Sequence, residues 1–217
     1  MEQVYEKKRE QLLSDLSDMS EVAEEMLQKI IKAMDNLNFE RAHEVIERDN
    51  VLDNYLITIE EEVSRLLTLD QPLAADTWFS IAMIKIANDL ERIGDQATNI
   101  AEILLELRHD GIIKPLVMIP ELADIVTDML DVVLESFSTR NSDLAEAACR
   151  MDEKADNLYE DIYHKAIKMI SQKEDKDKVK QIVQHINLAK ALERVGDHAT
   201  NIGEETIFID TGKRVKY

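Results

Sequence analysis

The 217-residue sequence has little of what β-rich or disulfide-bonded proteins need. Its five glycines and three prolines are too few for the many turns of a β-sandwich or barrel. Its single cysteine, Cys149, excludes an intramolecular disulfide and a cysteine-rich metal site. Because Cys149 stands in a helical pattern, we expect a small core residue rather than a reactive thiol.

Long apolar runs and positive charge are also scarce. No apolar run approaches the roughly 18 residues of a membrane span, and the N-terminus has no signal pattern, so we expect a cytoplasmic chain without membrane insertion. The formal net charge of −19 repels nucleic acid, which is therefore not expected as a partner. This charge suits cations or a basic patch on another protein, although an acidic helical protein can also simply be soluble.

Helix-forming residues are abundant, and they recur with helical spacing. Apolar side chains at steps of three and four predict six helices, separated by breakers such as Pro72 and Gly111. Pro120 suits the first turn of the fourth helix, Asn141 to Asp143 provides an N-cap for the fifth, and Gly212 follows the sixth. The predicted helices span residues 4–35, 39–67, 74–107, 120–138, 142–171 and 176–209. The sequence therefore predicts an all-α protein.

The chain contains an internal repeat. Residues 87–102 read ANDLERIGDQATNIAE and residues 189–204 read AKALERVGDHATNIGE, which are identical at 11 of 16 positions. Three helices per repeat, joined by short turns, predict two tandem antiparallel three-helix bundles related by a pseudo-twofold. The helix breakers between residues 109 and 120 place the boundary there, with domains at 1–110 and 117–217.

Each repeat carries the same oxygen-bearing side chains. On the third helix of each repeat they stand four residues apart and so share one face. These residues are Glu91, Asp95 and Asn99, followed by Glu102, in the first repeat, and Glu193, Asp197 and Asn201, followed by Glu204, in the second. The second helix of each repeat adds an aspartate pair, Asp49 with Asp53 and Asp152 with Asp156. Because helices two and three are antiparallel neighbours, each aspartate pair can face the acidic residues of its own repeat.

One acid pair at this spacing would mean little, because 45 acidic residues give about nine such pairs by chance, most on solvated faces. Recurrence in register raises these pairs above chance. Arg92 and Arg194 are expected to project about 100° away from the acidic ladders, and Arg48 is a candidate counter-ion for Asp49. A bound cation is then the simpler source of compensating charge. Oxygen ligands favour Mg, Mn, Ca or iron over Zn.

Two glycines and one histidine accompany these acidic ladders. Gly94 and Gly196 lie near the core face at equivalent positions, where we expect close helix packing rather than room for a ligand. His198 aligns with Gln96, so the two repeats do not share it, and we expect an exposed side chain.

No enzymatic function is expected. A ferritin-like di-iron centre needs Glu-x-x-His in the interior of two helices. The two such triplets, Glu40 to His43 and Glu106 to His109, lie at predicted helix ends, and neither recurs in the second repeat. The sequence has no glycine-rich phosphate loop and no recognisable Ser or Cys nucleophile. The alternative to a metal-binding protein is an acidic helical scaffold that binds a basic partner protein without a metal role.

The two repeat copies, with Gln71-Pro72 before the first and the closing Gly-Lys-Arg-Val, resemble the PhoU family of phosphate-specific transport system accessory proteins. The resemblance covers essentially the whole chain. It implies a cytoplasmic, homodimeric regulator that represses the phosphate-starvation response when phosphate is plentiful. Such a regulator would act as an adaptor between the ATPase of a phosphate ABC transporter and a sensor histidine kinase.

The resemblance also implies metal ions, either Mg, Mn or multinuclear iron, on Glu/Asp-x-x-x-Asp motifs. The matching positions here are Asp49, Asp53, Glu91, Asp95, Asp152, Asp156, Glu193 and Asp197. The chain departs from the family pattern at Trp78, where an arginine is common, and at Gln96, where a histidine is frequent. Neither departure changes a carboxylate.

Overall fold

The computed structural model describes residues 2–69, 74–108, 118–172 and 175–217, and every regular element in these ranges is an α-helix. The helices are α1 (Glu2–Asn36), α2 (Phe39–Leu69), α3 (Ala74–Leu107), α4 (Met118–Thr139), α5 (Ser142–Ile170) and α6 (Lys176–Thr211). The prediction of six helices is confirmed, with ends within two residues of those expected. The predicted breakers at Pro72 and Gly111 lie outside the described residues.

The helix ends follow local capping rules. The side chain of Asn141 accepts hydrogen bonds from the backbone N–H groups of Asp143 and Leu144, which caps α5 as predicted. Gly212 ends α6 in the left-handed conformation, with φ of 71°. The turns after α1 and α4 also match each other, because Leu37 and Arg140 adopt φ values of 53° and 51° at equivalent positions.

The six helices form two tandem antiparallel three-helix bundles, α1–α3 and α4–α6, as predicted. The third helix of each bundle, α3 or α6, packs against the other, and α1 packs more lightly against α4. The buried apolar side chains of both bundles form one connected core. Residues 109–117 lie outside the described residues, so the division into domains at 1–110 and 117–217 remains a prediction.

Cys149 lies in this core, as expected. Its side chain is buried, and burial, followed by the charges of Glu204 and Asp152, raises the pKa of the thiol to about 12. The thiol therefore stays protonated at neutral pH, which suits a packing residue and not a nucleophile.

Candidate metal centre

In the first bundle, the aspartates of α2 face the acids of α3. The hydroxyl of Thr98 in α3 donates to Oδ1 of Asp49 in α2 over 3.1 Å. Burial raises the pKa of Asp49, and Asp95 and Asp53 add to that rise. Burial likewise raises the pKa of Glu91, with contributions from Asp95, Asp53 and Asp49. These four carboxylates, Asp49, Asp53, Glu91 and Asp95, form the first acidic cluster.

In the second bundle, the equivalent carboxylates Asp152, Asp156, Glu193 and Asp197 form the second acidic cluster. One oxygen each of Asp152, Asp156 and Asp197 lies within 4.8 Å of the others. Burial raises the pKa of Asp152 to about 6, reinforced by Asp156, Asp197 and Glu193. Burial also raises the pKa of Asp197, with Glu193 as the next cause. The fold thus holds several mutually repelling carboxylates together.

The second acidic cluster fits a cation by its chemistry. Oδ1 of Asp152 is buried and forms no hydrogen bond of good geometry, although the nearby Thr200 hydroxyl partly lowers the pKa of Asp152, so this oxygen remains available to a cation. Opposite oxygen ligands are about 4.8 Å apart across Ca²⁺, with bonds of about 2.4 Å, and about 4.2 Å apart across Mg²⁺, with bonds of about 2.1 Å. Three oxygens within 4.8 Å of one another can therefore share one ion, with a small contraction for the smaller cations. Asp152 and Asp156 on α5 with Asp197 on α6 would hold a hard cation such as Mg, Mn or iron, whereas a ligand role for Glu193 remains a prediction.

The first acidic cluster differs because an arginine reaches it. Nη1 of Arg92 donates to Oδ2 of Asp95 over 2.8 Å, and its Nε lies 3.3 Å from Oε2 of Glu91. The expectation that Arg92 projects away from the ladder is therefore wrong. The long side chain of Arg92 reaches Asp95, three residues further along the helix. A helical-wheel angle of about 100° per residue describes only where a side chain leaves the backbone, so it does not predict this contact.

One other sequence expectation about charge is also wrong, and one counter-ion was missed. Arg48 pairs with Glu25 on α1 over 2.6 Å, so it is not directed to Asp49. In the second bundle, Lys190 binds both oxygens of Glu193 over 2.6 Å, a counter-ion that the ladder residues alone did not reveal. The i,i+3 spacing of Lys190 and Glu193 is the signal that could have identified it.

The side-chain amides of Asn99 and Asn201, which were predicted as metal ligands, each have a hydrogen-bond partner outside the acidic clusters. Nδ2 of Asn201 donates to Oδ1 of Asp89 in α3 over 3.0 Å, and the same oxygen lies 2.9 Å from Nδ1 of His198. His198 is therefore half-buried between the bundles, and the expectation of an exposed histidine is wrong. Nδ2 of Asn99 lies 3.4 Å from Oε1 of Gln96. A ligand role for Asn99 and Asn201 remains a prediction.

The two equivalent glycines have different surroundings. A Cβ added at Gly94 would lie 2.2 Å from Cδ1 of Leu52, so close helix packing is confirmed there. A Cβ added at Gly196 would lie 3.3 Å from Oδ1 of Asp152. The missing side chain at Gly196 therefore leaves space for the Asp152 carboxylate of the second acidic cluster. The same position also lies against core side chains of α4.

The sequence model of the PhoU domain matches this chain twice, over residues 16–104 and 119–206. The chain belongs to the PhoU family. Members similar to it include a phosphate-specific transport system accessory protein PhoU homolog of Clostridium acetobutylicum, 34% identical over 98% of this chain and 96% of its own length. Homolog 1 of Thermotoga maritima is 33% identical over 98% of this chain and 91% of its own length.

Solved PhoU structures have the same fold. The crystal structure of PhoU from Pseudomonas aeruginosa superposes with a TM-score of 0.92, at 27% identity, and covers 96% of this chain and all of that one. The phosphate transport system regulatory protein PhoU from Streptococcus pneumoniae gives 0.89 at 23% identity, over 98% of this chain and all of its own, which supports the fold alone. Among the described residues, no helix is long and apolar enough to cross a membrane.

Proposed function

We propose that this PhoU-family protein is a metal-binding cytoplasmic regulator of phosphate uptake. It acts as a homodimeric adaptor between the ATPase of a phosphate ABC transporter and a sensor histidine kinase, and it represses the phosphate-starvation response. The observation that carries the phosphate role is the match, over nearly the whole chain, to proteins described as phosphate-specific transport system accessory proteins.

The metal role is supported by the convergence of one oxygen each of Asp152, Asp156 and Asp197 and by the burial of Oδ1 of Asp152. A divalent or iron cation there neutralises carboxylates that otherwise repel one another, and it ties α5 to α6. Each cluster already has one counter-ion, Arg92 beside Glu91 and Asp95 in the first and Lys190 beside Glu193 in the second. We place the stronger cation site in the second bundle because three aspartate oxygens converge there. The role assigned to the cation is structural and electrostatic, not catalytic.

The alternative is an acidic scaffold that binds a basic partner protein without metal. It is favoured by the net charge of −19 and by exposed acids such as Glu153 and Glu160 beside the second acidic cluster. Binding of the purified protein to the transporter ATPase before and after complete chelation distinguishes the two. Binding that survives chelation supports the scaffold, and binding lost on chelation and restored by Mn²⁺ supports the metal-bearing adaptor.

The regulatory role is tested with a phosphatase reporter in phosphate-replete cells that lack the gene. We expect constitutive reporter output, silenced when the wild-type gene is restored. Normal, phosphate-repressed output in the deletion strain would contradict the signalling role.

A second arm of the same experiment isolates the metal. The triple variant Asp152→Asn/Asp156→Asn/Asp197→Asn should express at the wild-type level, lose bound metal and fail to silence the reporter. Arg194→Ala is the matched control, because its exposed side chain forms no ion pair with any described residue. Full silencing by the triple variant would mean that the protein regulates the phosphate response without the metal.

A further inference from the structure

A cleft at one end of the molecule differs from the rest of this acidic surface. It lies where α1 and α3 begin and where α4 and α6 end, and its volume is about 750 Å³. That volume is within the range of small-molecule sites, about 300–1,000 Å³. Three of its lining residues are arginines and three are aromatic, namely Arg9, Arg140, Arg214, Trp78, Phe79 and Phe208. Arg9 lies 4.0 Å from a carboxylate oxygen of Glu6 and Arg214 is paired with Glu205, so Arg140 is the arginine of this cleft that is best placed to attract an anionic group.

Two of the arginines are held in place before any ligand binds. The guanidinium carbon of Arg214 lies 3.9 Å from the centre of the Phe208 ring, and that of Arg9 lies 4.5 Å from the centre of the Phe79 ring. Arg214 also donates to Oε1 of Glu205, whose side chain is only 8% exposed. Such preorganised groups lose little conformational entropy on binding.

The third arginine is uncommitted. Arg140 lies in the turn after α4, and its side chain forms no ion pair with any described residue. The equivalent position in the first bundle is Leu37, so the positive charge is specific to this end of the molecule. A planar guanidinium with free donors is suited to bidentate binding of a phosphate group.

Trp78 supplies an aromatic surface beside these charges. Its side chain is 51% exposed, and its ring meets that of Phe208 edge to face, with centroids 5.9 Å apart. A half-exposed, oriented indole ring offers a face on which a planar heteroaromatic ring can stack. Inorganic phosphate has no such ring and would leave this surface unused.

Two carboxylates, Asp76 and Asp210, also line the cleft. They disfavour a compact oxyanion, but the carboxylate of Asp210 can accept hydrogen bonds from hydroxyl or amino groups. A ligand that combines a phosphate, a donor-bearing sugar and a planar base satisfies all three features of the cleft. We propose that this cleft binds a purine nucleotide, with the base on Trp78 and the phosphate at Arg140. This site is separate from the acidic clusters and does not depend on their metal.

Trp78 is the only tryptophan of the chain, so its fluorescence reports on the cleft directly. The full-length protein is titrated with sodium salts of ATP, ADP and AMP in the presence of EDTA, which prevents binding through metal in the acidic clusters. We expect saturable quenching by at least one nucleotide with a Kd below about 1 mM. Adenosine and inorganic phosphate over the same range should give little change, since each has only part of the ligand.

Two variants locate the site. Arg140→Ala should weaken nucleotide binding at least tenfold. Arg108→Ala is the matched control, because Arg108 stacks on Phe39 at 5.2 Å in another cleft, and it should bind as the wild type does. Calorimetry on Trp78→Ala, which cannot be followed by fluorescence, should give a loss of similar size.

Three results would overturn the proposal. They are an absence of quenching and of calorimetric heat with every nucleotide, an equal response to inorganic phosphate or adenosine alone, and equal affinities of Arg140→Ala and the wild type. Equal unfolding midpoints of Arg140→Ala and the wild type establish that an affinity loss is not a folding defect. None of these results bears on the metal or on the phosphate reporter.

Discussion

Nη1 of Arg92 donates to Oδ2 of Asp95 over 2.8 Å, whereas Arg194, at the equivalent position of the second repeat, forms no ion pair with a described residue. We attribute this difference to the residue that lies one turn earlier in each helix, four positions before the arginine. The second repeat has Lys190 there, which binds Glu193, and the first repeat has Asn88, which donates to its own helix backbone instead. Two clusters with the same carboxylates therefore differ in their counter-ions.

This difference predicts how Arg92→Ala behaves. Removing the guanidinium from Glu91 and Asp95 should raise the affinity of the first acidic cluster for Mn²⁺. Because Arg92 is more than half exposed, we expect the Mn²⁺ affinity to rise roughly tenfold at low ionic strength and by less at physiological salt. Calorimetric titration of metal-free protein measures it, and Arg194→Ala serves as the control with no expected change. An unaltered Mn²⁺ titration of Arg92→Ala would mean that the first acidic cluster does not bind the cation.

Metal binding at the second acidic cluster should depend on pH. The pKa of Asp152 is about 6 in the metal-free protein because of burial and its acidic neighbours, so below pH 6 a proton must leave before a cation can bind. The apparent affinity for Mn²⁺ should fall by about tenfold per pH unit below pH 6, and it should be nearly constant from pH 7 to 8. Titrations at pH 5, 6, 7 and 8 test this, and a flat profile across that range would exclude Asp152 as a ligand.

The same pKa predicts the stability of the metal-free protein. A carboxyl pKa raised from 3.8 to about 6 means that the folded state binds the proton more tightly than the unfolded state. The stabilisation is complete below pH 3.8 and is lost as the pH rises through 6. Asp152→Asn should therefore unfold at higher urea concentration than wild type at pH 7.5, by on the order of 1 kcal/mol after allowing for solvent screening.

Two comparisons guard this stability prediction. At pH 4 the advantage of Asp152→Asn should largely disappear, because the wild-type carboxyl is then protonated. Added Mn²⁺ should stabilise the wild type more than the variant, which keeps only the first acidic cluster intact. A variant that is less stable than wild type at pH 7.5 without metal would mean that Asp152 is not under repulsion in the folded state.

Local features of the fold were predictable from the sequence, whereas contacts between long or distant side chains were not. Helix positions were predictable because apolar spacing and breakers act locally, and the facing of acid pairs followed from the repeat and from antiparallel packing. The errors at Arg92 and His198 concern side chains. A long, flexible side chain chooses among neighbours within a turn, and the partner of His198, Asp89, lies in the other bundle. Neither choice can be determined from Cα periodicity.

The two equivalent glycines allow the packing and metal roles to be separated. Gly94→Ala gains about 1 kcal/mol of helix propensity, but its Cβ would clash with Leu52 at 2.2 Å, so we expect a net loss of roughly 1–2 kcal/mol in stability. Gly196→Ala has a milder contact, 3.3 Å from Oδ1 of Asp152, so stability without metal should change little or rise. Its affinity for Mn²⁺ should fall several-fold because the added methyl group displaces a ligand oxygen.

Urea unfolding and Mn²⁺ titration of both variants check this pair of expectations. The double variant Gly94→Ala/Leu52→Ala is the internal control, because removing the Leu52 methyl groups should relieve the clash and make the two effects less than additive. The converse pattern, with Gly94→Ala weakening Mn²⁺ binding in the second bundle and Gly196→Ala leaving it intact, would separate Gly196 from the cation site. The space beside Asp152 would then serve helix packing alone, as it does at Gly94.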